Sequence, residues 1–144
     1  MRTAIREMTI EDYDAVLTLW QATEGMGLDL QDADSRPAVQ AYLLRNAGLS
    51  FVTQSRERIV GAVLCGHDGR RGYMNHLAVS PAFRGQGLAA GMIEACLAAL
   101  ARAGIAKCSL FVFTDNAPGV AFWSHNGWNN RHDLALFQKK TPAQ

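Results

Sequence analysis

The chain has 144 residues, 49% of them hydrophobic, and a formal net charge of +1. That length fits one domain over residues 1–144, with enough apolar side chain to build a core without disulfides or metal. The near-neutral charge gives no electrostatic case for nucleic acid or an anionic membrane, and no apolar run approaches the length of a membrane span.

Cys65, Cys96 and Cys108 lack metal or redox spacing. Each lies in an apolar run, so they read as small buried hydrophobes of a reducing compartment. No signal-like apolar core follows Met1, and the expected location is cytoplasmic.

Residues 2–8 alternate weakly and predict a first strand. Thr9 with Asp12 three positions on forms a loose capping box, and Ile10, Tyr13, Val16, Leu17 and Trp20 recur at helical spacing. Residues 24–34 follow, with two glycines, four carboxylates (Glu24, Asp29, Asp32, Asp34) and no basic residue. Asp34 or Ser35 can cap a second helix with Pro37 in its first turn. Val39, Tyr42, Leu43 and Leu44 would form its buried stripe, and Asn46-Ala47-Gly48 would stop it.

Residues 49–54 and 59–66 read as an antiparallel hairpin. His67-Asp68-Gly69 is a turn into a strand over residues 73–79. Pro81 and the bend Arg84-Gly85-Gln86-Gly87 then open a long helix that Gly104 ends. With Glu94 and Arg102 as its only charges beyond the first turn, this helix should lie across a sheet face. Residues 107–113 predict another strand, residues 117–126 a short helix ended by Gly127, and residues 134–139 a last strand. The order is β-α-α-β-β-β-α-β-α-β, a mixed α/β domain.

Strand, glycine bend and helix in succession suit phosphate oxygens, because glycine lets backbone N–H groups approach and the helix N-terminus favours an anion. A P-loop would need Gly-x-x-x-x-Gly-Lys, yet no lysine precedes Lys107. Gly85-x-Gly87-x-x-Ala90 matches the dinucleotide fingerprint formally. The acidic residue expected about twenty positions on is replaced by Gly104-Ile105-Ala106-Lys107, and the strands before it form a hairpin series.

Two segments carry a more specific likeness. Leu77-Ala78-Val79-Ser80-Pro81, followed by Arg84-Gly85-Gln86-Gly87-Leu88-Ala89, resembles the acyl-CoA-binding segment of the GNAT N-acetyltransferase superfamily. Asn116, then Phe122-Trp123, then Gly127-Trp128 resembles that family's Asn–aromatic–Gly-aromatic helix. The element order fits over nearly the whole chain. The resemblance implies a predominantly antiparallel sheet with a splayed central strand pair and helices on both faces.

It also implies an enzyme that moves an acetyl group from acetyl-CoA to a primary amine by direct transfer in a ternary complex. Amides of Arg84, Gly85, Gln86, Gly87, Leu88 and Ala89 would hold the pyrophosphate. Leu77, Ala78 and Val79 would pair with the pantetheine arm beside a bulge whose N–H meets the thioester carbonyl. Asn116 would contact CoA, cap its helix, or do both. No metal is needed.

Relatives usually carry a tyrosine seven residues after the Asn as the acid; here it is Trp123, which cannot deliver a proton and would pack on the cofactor or the core. Water or Tyr73 could protonate the departing thiolate. Where some relatives have a glutamate base stands Phe111, and where others have a strand carboxylate stand Asn75 and His76. A free imidazole titrates near ~6.5, so His76 is the candidate base. A hydrogen-bonded structural histidine is the competing reading.

In the family, the segment joining the first two helices overhangs the acceptor, so Glu24 and Asp29 would favour a cationic amine, small molecule or peptide. A solvated loop is the alternative. Members often dimerise, and apolar residues near the C-terminus fit a homodimer face or a core. The missing tyrosine leaves a non-catalytic CoA-binding regulatory domain as the rival function.

Overall fold

The computed structural model describes residues 2–143. The chain divides into two compact units, Met1–Phe111 and Val112–Gln144. In the first, the strands β1 (Ala4–Glu7), β2 (Phe51–Ser55), β3 (Arg58–His67), β4 (Gly72–Val79) and β5 (Cys108–Ser109) form one sheet in the order β1-β2-β3-β4-β5. Its helices are α1 (Tyr13–Gln21), α2 (Arg36–Arg45) and α3 (Leu88–Arg102).

β1 to β4 pair antiparallel, whereas β4 and β5 run parallel and pair only at Gly72–Cys108 and Tyr73–Ser109. Beyond Tyr73 the two strands part, so that edge of β4 has no strand beside it among the described residues. This is the splayed pair in a mostly antiparallel sheet.

The sheet is covered on both faces because its alternation serves two apolar sets. Val52, Ala62, Leu64 and Ala78 join Val16, Leu19 and Trp20 of α1 in one cluster, with Met26 and Leu28 packed against it. On the other face a Cβ at Gly61 would lie 2.8 Å from the Met92 methyl of α3, and one at Gly72 would lie 2.6 Å from Leu100. These strand glycines set how closely α3 approaches.

At the N-terminal end, Thr9 N–H donates to Asp12 Oδ2 at 2.9 Å, the reciprocal half of the expected box. One 3-10 turn, Ile10–Asp12, intervenes before α1 begins. The Arg6 guanidinium grips both Asp12 oxygens, at 2.9 and 2.7 Å. Ser35, not Asp34, caps α2, its hydroxyl accepting from Ala38 N–H at 3.3 Å. Val39 is buried, whereas Leu44 is 75% exposed and does not belong to the stripe. Asn46 ends α2, and its carboxamide reaches Tyr42 O and His67 N–H.

The predicted strand over residues 107–113 keeps only Cys108–Ser109. In the second unit α4 (Ala117–His125) forms as expected, but residues 134–139 form no strand. Leu134, Leu136 and Phe137 are 63%, 59% and 90% exposed. Apolar alternation alone does not make a strand, which needs a partner ladder and a face to cover. No helix among the described residues is long and apolar enough to cross a membrane.

Candidate active site

Three features of the first unit meet along β4. The first is a bulge. Ala62 faces Ala78 and Leu64 faces Asn75, so two steps of β3 oppose three of β4 and the extra residue falls at His76–Leu77. In a regular strand Asn75 and Ala78 would point to opposite faces. The bulge instead brings both to the side of Leu64 and Ala62, the face that α1 covers. Tyr73, two residues before Asn75, shares that face and opposes Gly66.

His76 adopts φ +55° at the bulge, a left-handed conformation uncommon for side chains other than Asn, Asp and His. Contacts from two distant segments hold it there. Trp20 Nε1–H donates to the His76 carbonyl at 2.9 Å, and the two rings meet edge-on with centroids 5.0 Å apart. His76 Nε2 lies 2.9 and 3.0 Å from the two Asp34 carboxylate oxygens.

Asp34 is itself a knot. Its Oδ2 accepts from Asp29 N–H at 2.8 Å, its own N–H donates to Asp29 O at 2.8 Å, and its carbonyl accepts the Tyr13 hydroxyl at 2.6 Å. Burial pushes this carboxyl up, but the His76 hydrogen bond, the Asp29 N–H and the imidazole charge outweigh it, so it titrates below the ordinary carboxylate range. The Asp34 side chain is 6% exposed and that of His76 16%.

The second feature is the glycine bend. A 3-10 turn, Pro81–Phe83, buries Phe83 and leaves Arg84 to Gly87 exposed. Gly85 and Gly87 have φ +76° and +78°, conformations that need glycine. Gly87 is the N-cap of α3 and provides no side-chain acceptor. The first-turn N–H groups of Leu88, Ala89 and Ala90 are therefore donors without an intrahelical acceptor. An ideal Cβ at Gly85 or Gly87 meets nothing within 4 Å, so it is the positive φ and not crowding that calls for glycine here. Arg84 folds back instead, its Nε–H donating to Val79 O at 3.1 Å.

The third feature is the acidic loop. Glu24, Asp29 and Asp32 are exposed while Asp34 is buried. Asp29 Oδ1 accepts Asp32 N–H at 3.2 Å, a local turn. Met26 and Leu28 tie the loop to the core. Its buried carboxylate, read from sequence as a cap or loop charge, is spent on His76.

Asn75 is exposed and Leu77, Ala78 and Val79 line the unpaired edge of β4. Tyr73 stacks on Phe111, with centroids 6.4 Å apart and planes at 9°. Asn116 and Trp123 belong to the second unit. Asn116 Oδ1 accepts Gly119 N–H at 3.1 Å and so caps α4. Trp123 packs edge-on against Phe122 and Trp128, with centroids 5.1 and 5.0 Å apart.

His67 and Asp68 form their turn as expected: His67 Nδ1 accepts Gly69 N–H, and Asp68 Oδ1 accepts from Arg70 and Arg71. Cys65, Cys96 and Cys108 are free. The Cys65 thiol is pushed up to about 12, because the Cys96 contact and burial outweigh the Cys108 hydrogen bond. Among the described residues no group of three or more His, Cys, Asp or Glu could hold a metal ion. A cavity of about 450 Å³ near the C-terminal ends of α2 and α3, lined in part by Arg45, His67 and Arg102, shares no residue with the β4 features.

Sequence reasoning missed the Asp34–His76 pair and the Trp20 contact. No local pattern signals a pairing across 42 positions. Trp20 did carry a signal, since a buried indole N–H must find an acceptor.

This mixed α/β fold, with its splayed parallel strand pair, is shared by acetyltransferases of known structure. Residues 11–128 match the model of the acetyltransferase (GNAT) family. The chain belongs to that family. It is 28% identical over 137 residues, 94% of each chain, to "Acetyltransferase plu1384" of Photorhabdus laumondii subsp. laumondii. In fold it is similar to the PaiA N-acetyltransferase of Thermoplasma acidophilum in complex with coenzyme A, with TM-score 0.74, 17% identity and coverage of 88% of this chain and 89% of that one. It is also similar to AAC(6')-Iy in complex with a bisubstrate analogue, CoA-S-monomethyl-acetylneamine, with TM-score 0.75, 16% identity and coverage of 98% and 100%.

Proposed function

We propose that this protein transfers the acetyl group of acetyl-CoA to a primary amine, directly, in a ternary complex. The observation that carries the reading is the bulge at His76–Leu77 in β4, followed by an unpaired strand edge and the exposed Gly85–Gly87 bend. In a member of an acetyltransferase family, these supply three needs of an acyl-CoA thioester: amides for a pyrophosphate, a strand edge for pantetheine, and a bulge donor for the carbonyl.

In this reading the amides of Arg84, Gly85, Gln86, Gly87, Leu88 and Ala89 hold the pyrophosphate, and the N-terminal dipole of α3 adds to them. Leu77, Ala78 and Val79 pair with the pantetheine arm. A bulge N–H points at the carbonyl oxygen, where negative charge grows during attack, and positioning supplies much of the rate. His76 accepts the ammonium proton, and Asn75 beside it is exposed to orient the amine.

A thiol with pKa near ~8.5 is a tolerable leaving group, so Trp123 in the usual acid's place does not stop the reaction. Water or the Tyr73 hydroxyl returns the proton. Glu24 and Asp29, exposed on the loop before α2, favour a cationic acceptor by long-range attraction. AAC(6')-Iy is an aminoglycoside N-acetyltransferase captured with a bisubstrate analogue, and an aminoglycoside belongs among the amines to try.

The test is calorimetric titration with acetyl-CoA, then thiol release with polyamines, aminoglycosides, amino acids and peptides. Micromolar-range binding and amine-dependent turnover, with intersecting initial-rate lines, support direct transfer. Binding without turnover on any amine assigns a CoA-binding regulatory role. Absence of binding rejects both.

A further inference from the structure

We propose that Asp34 is a positioning residue for His76: it fixes the imidazole proton on Nε2, leaves Nδ1 as the one lone pair able to take a proton from an amine, and joins that base to the acidic loop. The inference rests on the acetyltransferase reading. Nothing in the family match names this pair.

Nε2 sits 2.9 and 3.0 Å from the two oxygens of one buried carboxylate. An ionised carboxylate only accepts, so the nitrogen facing it must carry hydrogen. Neutral His76 then has its lone pair on Nδ1, and the protonated ring keeps the same Nε2–H bond. One carboxylate therefore serves both states without rearranging, which suits a group that gains and loses a proton each cycle. One ammonium proton moves to Nδ1; the freed amine forms the N–C bond as the C–S bond breaks, and the second proton that the nitrogen sheds goes, directly or through water, to the departing CoA thiolate. Nδ1–H afterwards gives its proton to solvent.

Other groups around the pair restrict it further. Trp20 holds the His76 carbonyl and meets its ring edge-on, so one side chain contacts both the bulge backbone and the imidazole. The Tyr13 hydroxyl is bound to the Asp34 carbonyl, not to the carboxylate, and does not compete for the oxygens. Asp34 Oδ2 and N–H also bind the Asp29 backbone at both its N–H and its carbonyl. An amine attracted by Asp29 thus meets a base held by the same short segment.

The test uses the full chain labelled with 15N-histidine, with long-range 1H–15N NMR recorded over a pH series, the tautomer being read at the alkaline plateau of the His76 signals. His76 is expected as the Nε2–H tautomer in the wild type and as a mixture in Asp34→Asn. On an amine the wild type acetylates, Asp34→Asn should lower kcat about 10–100-fold with KM for acetyl-CoA unchanged within about twofold. Asp34→Glu, which keeps a carboxylate, should retain the Nε2–H signature.

An Nδ1–H tautomer in the wild type overturns the proposal, and this arm stands even if Asp34→Asn fails to fold. Wild-type turnover that survives Asp34→Asn unchanged also overturns it. Failure of the wild type to acetylate any amine rejects the transferase reading instead; the two failures are distinct because the NMR needs no substrate.

Discussion

Asp12 and Asp34 occupy nearly the same local geometry and do different jobs. Each is a buried carboxylate that accepts a loop N–H, from Thr9 and Asp29 respectively, and faces a basic side chain from a neighbouring strand. At Asp12 that side chain is Arg6, whose guanidinium binds both oxygens, is always charged, and has no lone pair to offer. The result is a staple between β1 and the start of α1. At Asp34 the partner is His76, which keeps a second ring nitrogen and sits at a strand bulge. The partner's proton chemistry, not the carboxylate, separates a fastening from a candidate reaction centre.

The largest effect is expected at His76. His76→Asn tolerates the left-handed backbone and removes the base, so kcat should fall about 100-fold; it also takes the ring partner from the buried Asp34 carboxylate, so the melting temperature should fall too. Steady-state kinetics with a calorimetric scan checks both. Asp12→Ala should cost stability alone: about 1–2 kcal/mol in urea unfolding, from a lost cap and a half-exposed ion pair, with kcat unchanged. If both variants lose activity together, the contrast between the two aspartates fails.

Acid titration sharpens the same contrast. For Asp12, burial raises the carboxyl, but the Arg6 hydrogen bond, the Thr9 N–H and the Arg6 charge more than offset it, so it too lies below its ordinary value. For both groups the folded value is below the unfolded one. Their stabilisation is therefore complete above about pH 4 and is lost as pH falls through the folded values. Urea midpoints should drop on acidification in the wild type, and Asp12→Asn and Asp34→Asn should each flatten part of that slope.

Two smaller effects set the baseline. Asn116 caps α4 through its amide oxygen, so Asn116→Ala should cost about 1 kcal/mol of helix stability, seen as faster hydrogen exchange in α4. Leu44 is 75% exposed; Leu44→Lys should change unfolding free energy by less than about 0.5 kcal/mol.

Periodicity and caps made much of the first unit legible. The hairpin of β2 and β3, the stripe of Val16 and Trp20, and the Gly85–Gly87 bend all follow from local residue chemistry. Leu44 misled because helical spacing shows which residues share a stripe but not how wide the covering surface is. The run at residues 134–139 misled because a strand depends on a partner that its own residues do not specify. The site divides the same way. The bend is local and was readable, whereas the Asp34–His76 contact spans 42 positions and arises only when the sheet places β4 beside the loop before α2.

The most direct measurement is isotope transfer: acetyl-CoA labelled with 13C in its acetyl group, mixed with the protein and a cationic primary amine, followed by mass spectrometry and NMR of the products. The account predicts that the label enters an amide on the amine in step with release of free CoA. Label found only in acetate, or still bound to CoA after the bound state is saturated, would contradict it.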